Sequence, residues 1–168
     1  GYDYWGHCDI DLIWGDIRGF VERYQISRYD KFLPLGHLSL YRNTEENNRR
    51  FMESLEGLSD YKIVFQSEQN YLFDEFAVPQ IYRNKYTFFE SIIFADIQHW
   101  KRRYALYTNM KSYPSIYEEF SARCCPINFS HQIFMWVDGK VYQFYWVNGK
   151  IESREYIYIH LQKRKWKL

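Results

Sequence analysis

Apolar and polar residues alternate most clearly in the last third of the chain. Ile133 to Val137, Val141 to Val147 and Ile151 to Leu161 are separated by Asp138-Gly139 and Asn148-Gly149. Asp-Gly and Asn-Gly supply the positive-φ residues of a tight hairpin turn, so this pattern predicts a three-stranded antiparallel meander. Near the N-terminus, Tyr4 to Ile10 reads as a short aromatic strand. Asp16 is placed to cap a helix over Ile17 to Tyr24, with Phe20, Val21 and Tyr24 at helical spacing. Leu38 to Arg42 reads as a short buried strand or tight element after Gly36. Thr44, followed by Glu45, Glu46 and Asn47, makes a helix start that continues over Arg49 to Leu55 until Gly57 stops it. Tyr61 to Phe65 and Phe88 to Ile97 are apolar runs compatible with strand or helix, and Pro114 to Phe120 reads as a short helix. The fold class expected from these elements is mixed α/β. With no internal repeat, low-complexity stretch or linker, residues 1–168 are expected to form a single domain.

Composition changes the picture in one respect. The 22 basic and 21 acidic residues nearly balance, so bulk attraction to nucleic acid is not expected. The outlier is aromatic content, 21% of the chain, with 17 Tyr, 13 Phe and 6 Trp. Large aromatic faces suit carbohydrate rings and also fill ordinary cores. Cys8, Cys124 and Cys125 have no metal spacing and read as reduced thiols of a cytoplasmic protein. No segment approaches the roughly 18 uninterrupted apolar residues of a membrane span. The N-terminus has neither the basic nor the apolar region of a signal peptide, and the chain is expected to start inside a longer protein or to have been processed.

The candidate chemistry begins at Asp9-Ile10-Asp11. Alternation on a strand would put the two carboxylates on opposite faces, but at a bent strand end both can turn to one cation. Hard oxygen ligands of this kind suit Mn²⁺ or Mg²⁺. A solvated strand terminus explains the triplet equally simply. Asp96 lies in an apolar run and reads as a buried, hydrogen-bonded acid. His7, His99 and His131 show no metal spacing.

Four segments in order along the chain resemble GT-A glycosyltransferases, especially those of bacterial surface-polysaccharide clusters. They are Trp5 to Asp16, Phe32 to Thr44, Tyr71 to Glu75 and Tyr158 to Arg164. The first resembles the strand that carries the metal motif, and the second resembles the Gly-containing acceptor segment. The third resembles the later acidic motif, and the fourth the closing segment that completes the metal shell. The resemblance implies a partial GT-A fold: the C-terminal catalytic portion, with the N-terminal nucleoside-binding half absent.

It also implies roles. Asp9, Asp11 and His160 would hold Mn²⁺ or Mg²⁺, with Asp9, Lys163 and Arg164 meeting the donor and its diphosphate. Asp74 and Glu75 would serve as catalytic carboxylates towards the acceptor hydroxyl, and Gly36 and His37 would meet the acceptor or sugar. The implied partners are a nucleotide-sugar donor and a glycan or lipid-linked glycan acceptor, at the inner face of the membrane by peripheral association. Two readings stand beside it. A non-catalytic carbohydrate-binding or interaction module would use exposed aromatics and no metal. A metal-dependent phosphoesterase would use the same carboxylates to activate water, usually within a denser His/Asp cluster.

Overall fold

The computed structural model describes residues 1–69, 71–108, 116–122 and 132–162. Its strands are β1 (Tyr4–Cys8), β2 (Leu12–Trp14), β3 (Lys31–Phe32), β4 (Leu38–Arg42), β5 (Phe88–Phe89), β6 (Ala95–Thr108) and β7 (Ile116–Ala122). They continue with β8 (Gln132–Val137), β9 (Lys140–Val147), β10 (Lys150–Tyr156) and β11 (Tyr158–Gln162). The α-helices are α1 (Ile17–Arg23), α2 (Tyr61–Gln66) and α3 (Ala77–Lys85), with 3₁₀ turns at Ile26–Arg28 and Asn47–Met52. The fold is therefore mixed α/β. Among the described residues no helix is long and apolar enough to cross a membrane.

The chain groups into two compact units. The first is Gly1–Asp9 with Gln25–Ser91, and the second is Ile10–Tyr24 with Ile92–Leu168. In the first, β1, β4, β3 and β5 form a four-stranded sheet in that order, antiparallel except for the β3–β5 pair. Tyr41, Val78 and Tyr82 form a buried cluster there, with Phe51, Phe73, Tyr86 and Phe88 packed around it. Gly6 sits where a Cβ would collide with the Ser39 carbonyl, so the close approach of β1 to β4 depends on its having no side chain.

In the second unit the strand order is β10-β9-β8-β6-β11-β2, with β7 also paired to β6. The two expected hairpins are present. Asp138 and Gly139 have φ of 49° and 81°, and Asn148 and Gly149 have 50° and 78°. Both central residues of each turn are thus left-handed, as the twist of a two-residue hairpin requires. Ala95, Phe134, Val141, Tyr156, Ile159 and Leu161 form the core of this unit, with Ile13 and Trp136 packed against it.

Several expected elements hold and several change. Asp16 caps α1 as expected, its Oδ1 accepting from the Gly19 N–H at 2.8 Å. Thr44 Oγ1 accepts from the Asn47 N–H at 3.1 Å, but the chain then makes a short 3₁₀ turn and not a helix to Leu55. The Asn47 side-chain amide donates to the Asp30 and Arg42 carbonyls, fixing the segment to its neighbours in place of an α-helical ladder. The apolar run at Tyr61 becomes α2, and the run from Phe88 to Ile97 is divided between β5 and β6.

Ile116–Ala122 is a strand, not the helix expected from Pro114 to Phe120. It pairs antiparallel with β6, and its β-branched and aromatic residues (Ile116, Tyr117 and Phe120) are types that favour strands. The third meander strand ends at Tyr156. The Ile157 N–H donates to the Ile93 carbonyl and its own carbonyl accepts from Gly15. The chain then resumes as β11 between β6 and β2, away from its hairpin partner.

Candidate functional site

The expected ligands Asp11 and His160 meet in the second unit through strand register. β11 lies parallel to β6, which aligns His160 with Asp96, and antiparallel to β2, which aligns His160 with Leu12. Asp11 immediately precedes β2, and its carbonyl accepts from the Leu161 N–H at 2.8 Å. Three residues distant in sequence thus converge on one point of one sheet.

His160 Nδ1 lies 3.0 Å from Asp96 Oδ1, and both side chains are buried, at 6% and 4% exposure. His160 Nε2 lies 3.5 Å from Asp11 Oδ1, whose side chain is 32% exposed. An ionised carboxylate can only accept, so the hydrogen of this buried bond belongs on Nδ1. Nε2 then faces the Asp11 carboxylate with a lone pair. Two electron-rich atoms held at that distance are reconciled by a cation, either a second ring proton or a metal ion. The 3.5 Å separation suits neighbouring ligands each about 2.1 Å from one ion. A carboxylate behind the ring is the usual support for a ligating histidine, fixing its tautomer and orientation.

Asp9 closes the first unit. It is exposed, and its N–H donates to the His37 carbonyl at 3.0 Å. Lys163 and Arg164 lie outside the described residues. The remaining expected residues gather in the first unit. Gly36 sits beside Asp74 and Glu75, where a Cβ would collide with the Asp74 carboxylate and press on the Glu75 side chain. Gly36 and His37 are buried, so a ligand reaches neither without movement.

Asp74 has an unforeseen partner, His7, with Nε2 3.6 Å from Asp74 Oδ2 and exposures of 40% and 49%. The hydrogen bond from His7 holds the Asp74 carboxyl below the usual range. A carboxylate held that way is a weak proton acceptor. His7 carries no spacing signal in the sequence. Its position opposite Ser39, on the strand beside β4, is what brings it there.

Lys31 was also missed. Its side chain is fully buried, donating to the Leu33 carbonyl at 2.5 Å and to Ser39 Oγ at 2.8 Å, with the Tyr41 ring centroid 5.0 Å away. Burial lowers its pKa to about 7, and the charge of Asp74 only partly opposes that shift. A two-residue strand with a lysine inside gives no periodic signal that could have announced it.

The molecule is thus a mixed α/β protein with a supported histidine–carboxylate centre on its larger sheet. A family of unknown function, DUF6625, matches residues 1–168, and the chain belongs to that family. No curated protein and no solved structure matches the chain.

Proposed function

We propose that the chain serves metal-dependent glycosyl transfer, from a nucleotide-diphosphate sugar to a glycan or lipid-linked glycan, with Asp11 and His160 as metal ligands. The observation that carries the metal is the Asp96–His160–Asp11 line: a buried acid orients an imidazole whose far nitrogen meets a part-exposed carboxylate. One oxygen and one nitrogen ligand fit Mn²⁺ better than the all-oxygen shell that Mg²⁺ prefers. A cation held there neutralises charge on a leaving diphosphate. The transfer itself rests on the resemblance of four ordered segments to GT-A enzymes, and in this reading the protein works at the inner face of the membrane.

The test is a thermal-shift and turnover screen of sugar nucleotides with Mn²⁺, beside the Asp11→Ala variant. A Mn²⁺-dependent shift and sugar transfer, both lost in the variant, are expected. Turnover that survives Asp11→Ala would sink the reading.

A specific observation favours a second reading, the non-catalytic carbohydrate-binding module. Trp146 and Ile151 stand directly opposite each other on β9 and β10, exposed at 54% and 67%. A paired exposed aromatic and aliphatic residue is a flat apolar platform for a sugar face. Glycan binding unaffected by a chelator and by Asp11→Ala, but lost in Trp146→Ala, would favour it over transfer.

A further inference from the structure

The first unit contains a pocket of about 240 Å³, walled by the rings of Trp5, Tyr41, Phe51, Phe65, Phe73 and Tyr82. Tyr41 and Tyr82 are buried, at 6% and 1% exposure, whereas Trp5 and Phe65 stand open to solvent at 44% and 69%. The rings brace one another. Trp5 stacks on Tyr41 at 4.9 Å, Tyr41 meets Tyr82 at 5.8 Å, and Phe65 contacts both Phe51 and Phe73 at about 6 Å.

Most of the polar atoms around this box are engaged within the fold. The Trp5 indole N–H donates to Asn48 Oδ1, and the Asn48 amide donates to Asn43. Tyr82 donates to Asn47 Oδ1, and the Asn47 amide donates to two backbone carbonyls. What remains is the His7–Asp74 pair, half-exposed and on the pocket wall. Among the described residues that line the pocket, Asp74 is the only carboxylate, and no lysine or arginine is present.

A polyhydroxylated ring needs several hydrogen-bonding partners, which this lining does not offer. Six aromatic faces and one carboxylate suit a different ligand, one with a positive charge spread over an apolar body. Aromatic rings attract such a cation through their negative faces, and a carboxylate adds the counter-charge.

We propose that the Trp5–Tyr41–Tyr82–Phe65 pocket, with Asp74 on its wall, is a binding site for an alkylated ammonium group. This site does not rest on the transfer reading, in which the resemblance gave Asp74 a catalytic role. His7 and Lys31 stand beside this pocket, the Lys31 amine 5.0 Å from the Tyr41 ring centroid, without occupying it. His7 sits 3.6 Å from Asp74 at the half-exposed edge, and the Lys31 amine is turned to Leu33 and Ser39. The ammonium could belong to a free solute or to a lipid headgroup, and the chemistry of recognition is the same for both.

The test is calorimetric titration of the full chain with choline chloride, against 3,3-dimethylbutan-1-ol, which has the same shape without the charge. Saturable choline binding is expected, at least roughly tenfold tighter than the alcohol, the size of a part-desolvated cation–π contact. Asp74→Asn should weaken choline binding by roughly tenfold and leave the alcohol unaffected. Trp5→Ala should weaken choline binding, and Trp5→Phe should restore most of it, with circular dichroism confirming the fold of each variant. Co-sedimentation with phosphatidylcholine vesicles, competed by free choline, would identify the headgroup as the source; choline binding without co-sedimentation would identify a soluble ligand. No saturable choline binding would overturn the proposal. So would an alcohol that binds as tightly as choline, or a choline affinity indifferent to both Asp74→Asn and Trp5→Ala.

Discussion

Each compact unit joins a histidine to an aspartate, and the two pairs differ in almost every physical respect. His160 and Asp96 are buried side by side on parallel strands, 3.0 Å apart. His7 and Asp74 are 3.6 Å apart and roughly half exposed, between a strand and the segment before α3. Water screens the second pair and leaves it loosely held. The first is shielded, so its geometry is dictated by the sheet. The same two residue types therefore serve different ends. The buried pair orients an imidazole for another partner, and the open pair leaves a carboxylate accessible beside aromatic rings.

The largest effect expected from this contrast is on stability. Asp96→Ala should cost about 2–3 kcal/mol, since it removes the carboxylate partner of a buried imidazole. Denaturant unfolding measures it, and a double-mutant cycle with His160→Ala should return most of that loss as coupling. A cycle that shows the two residues to be additive would break the contrast at its stronger end.

Lys31 sharpens the contrast within the first unit, because it is a buried charge where the neighbouring acid is open. Its folded pKa of about 7 lies below the ordinary lysine value, so above pH 7 the unfolded chain binds more protons than the folded one. Stability should therefore rise with pH between 7 and 9, by up to about 2 kcal/mol, and level off below 7, where both states bind the proton. Lys31→Met should remove that slope in urea melts at each pH. A slope unchanged in the variant would show that the amine titrates normally.

The smallest effect belongs to the open pair. His7→Ala or Asp74→Asn should change stability by less than about 1 kcal/mol. Asp74 is held below the usual carboxylate range chiefly by its bond to His7, so its contribution is present above the ordinary carboxylate pKa and lost as pH falls through the lowered one. Melts at pH 3 and 6 check this, and a loss as large as that of Asp96→Ala would erase the distinction between the pairs.

The sequence announces these features unevenly. The hairpins at Asp138-Gly139 and Asn148-Gly149 were legible because their turn chemistry is local, and so was α1, whose cap lies beside it. Asp96 read as a buried acid because it interrupts an apolar run. The pairing of Asp96 with His160 was not legible, since it depends on β11 leaving its hairpin at Ile157 to run beside β6. No local signal marks that change of neighbours. His7 escaped notice for a similar reason: its partner Asp74 is far along the chain, and only the fold of the first unit joins them. β7 was misread because a short apolar-polar run after a proline fits helix and strand alike.

The central claim is that Asp11 and His160 hold a divalent cation, and Mn²⁺ titration followed by proton NMR of the histidine rings tests it most directly. His160 is expected to broaden at substoichiometric Mn²⁺, and Asp11→Ala to abolish that broadening. A His160 signal that stays sharp, or broadening that survives Asp11→Ala, would contradict it.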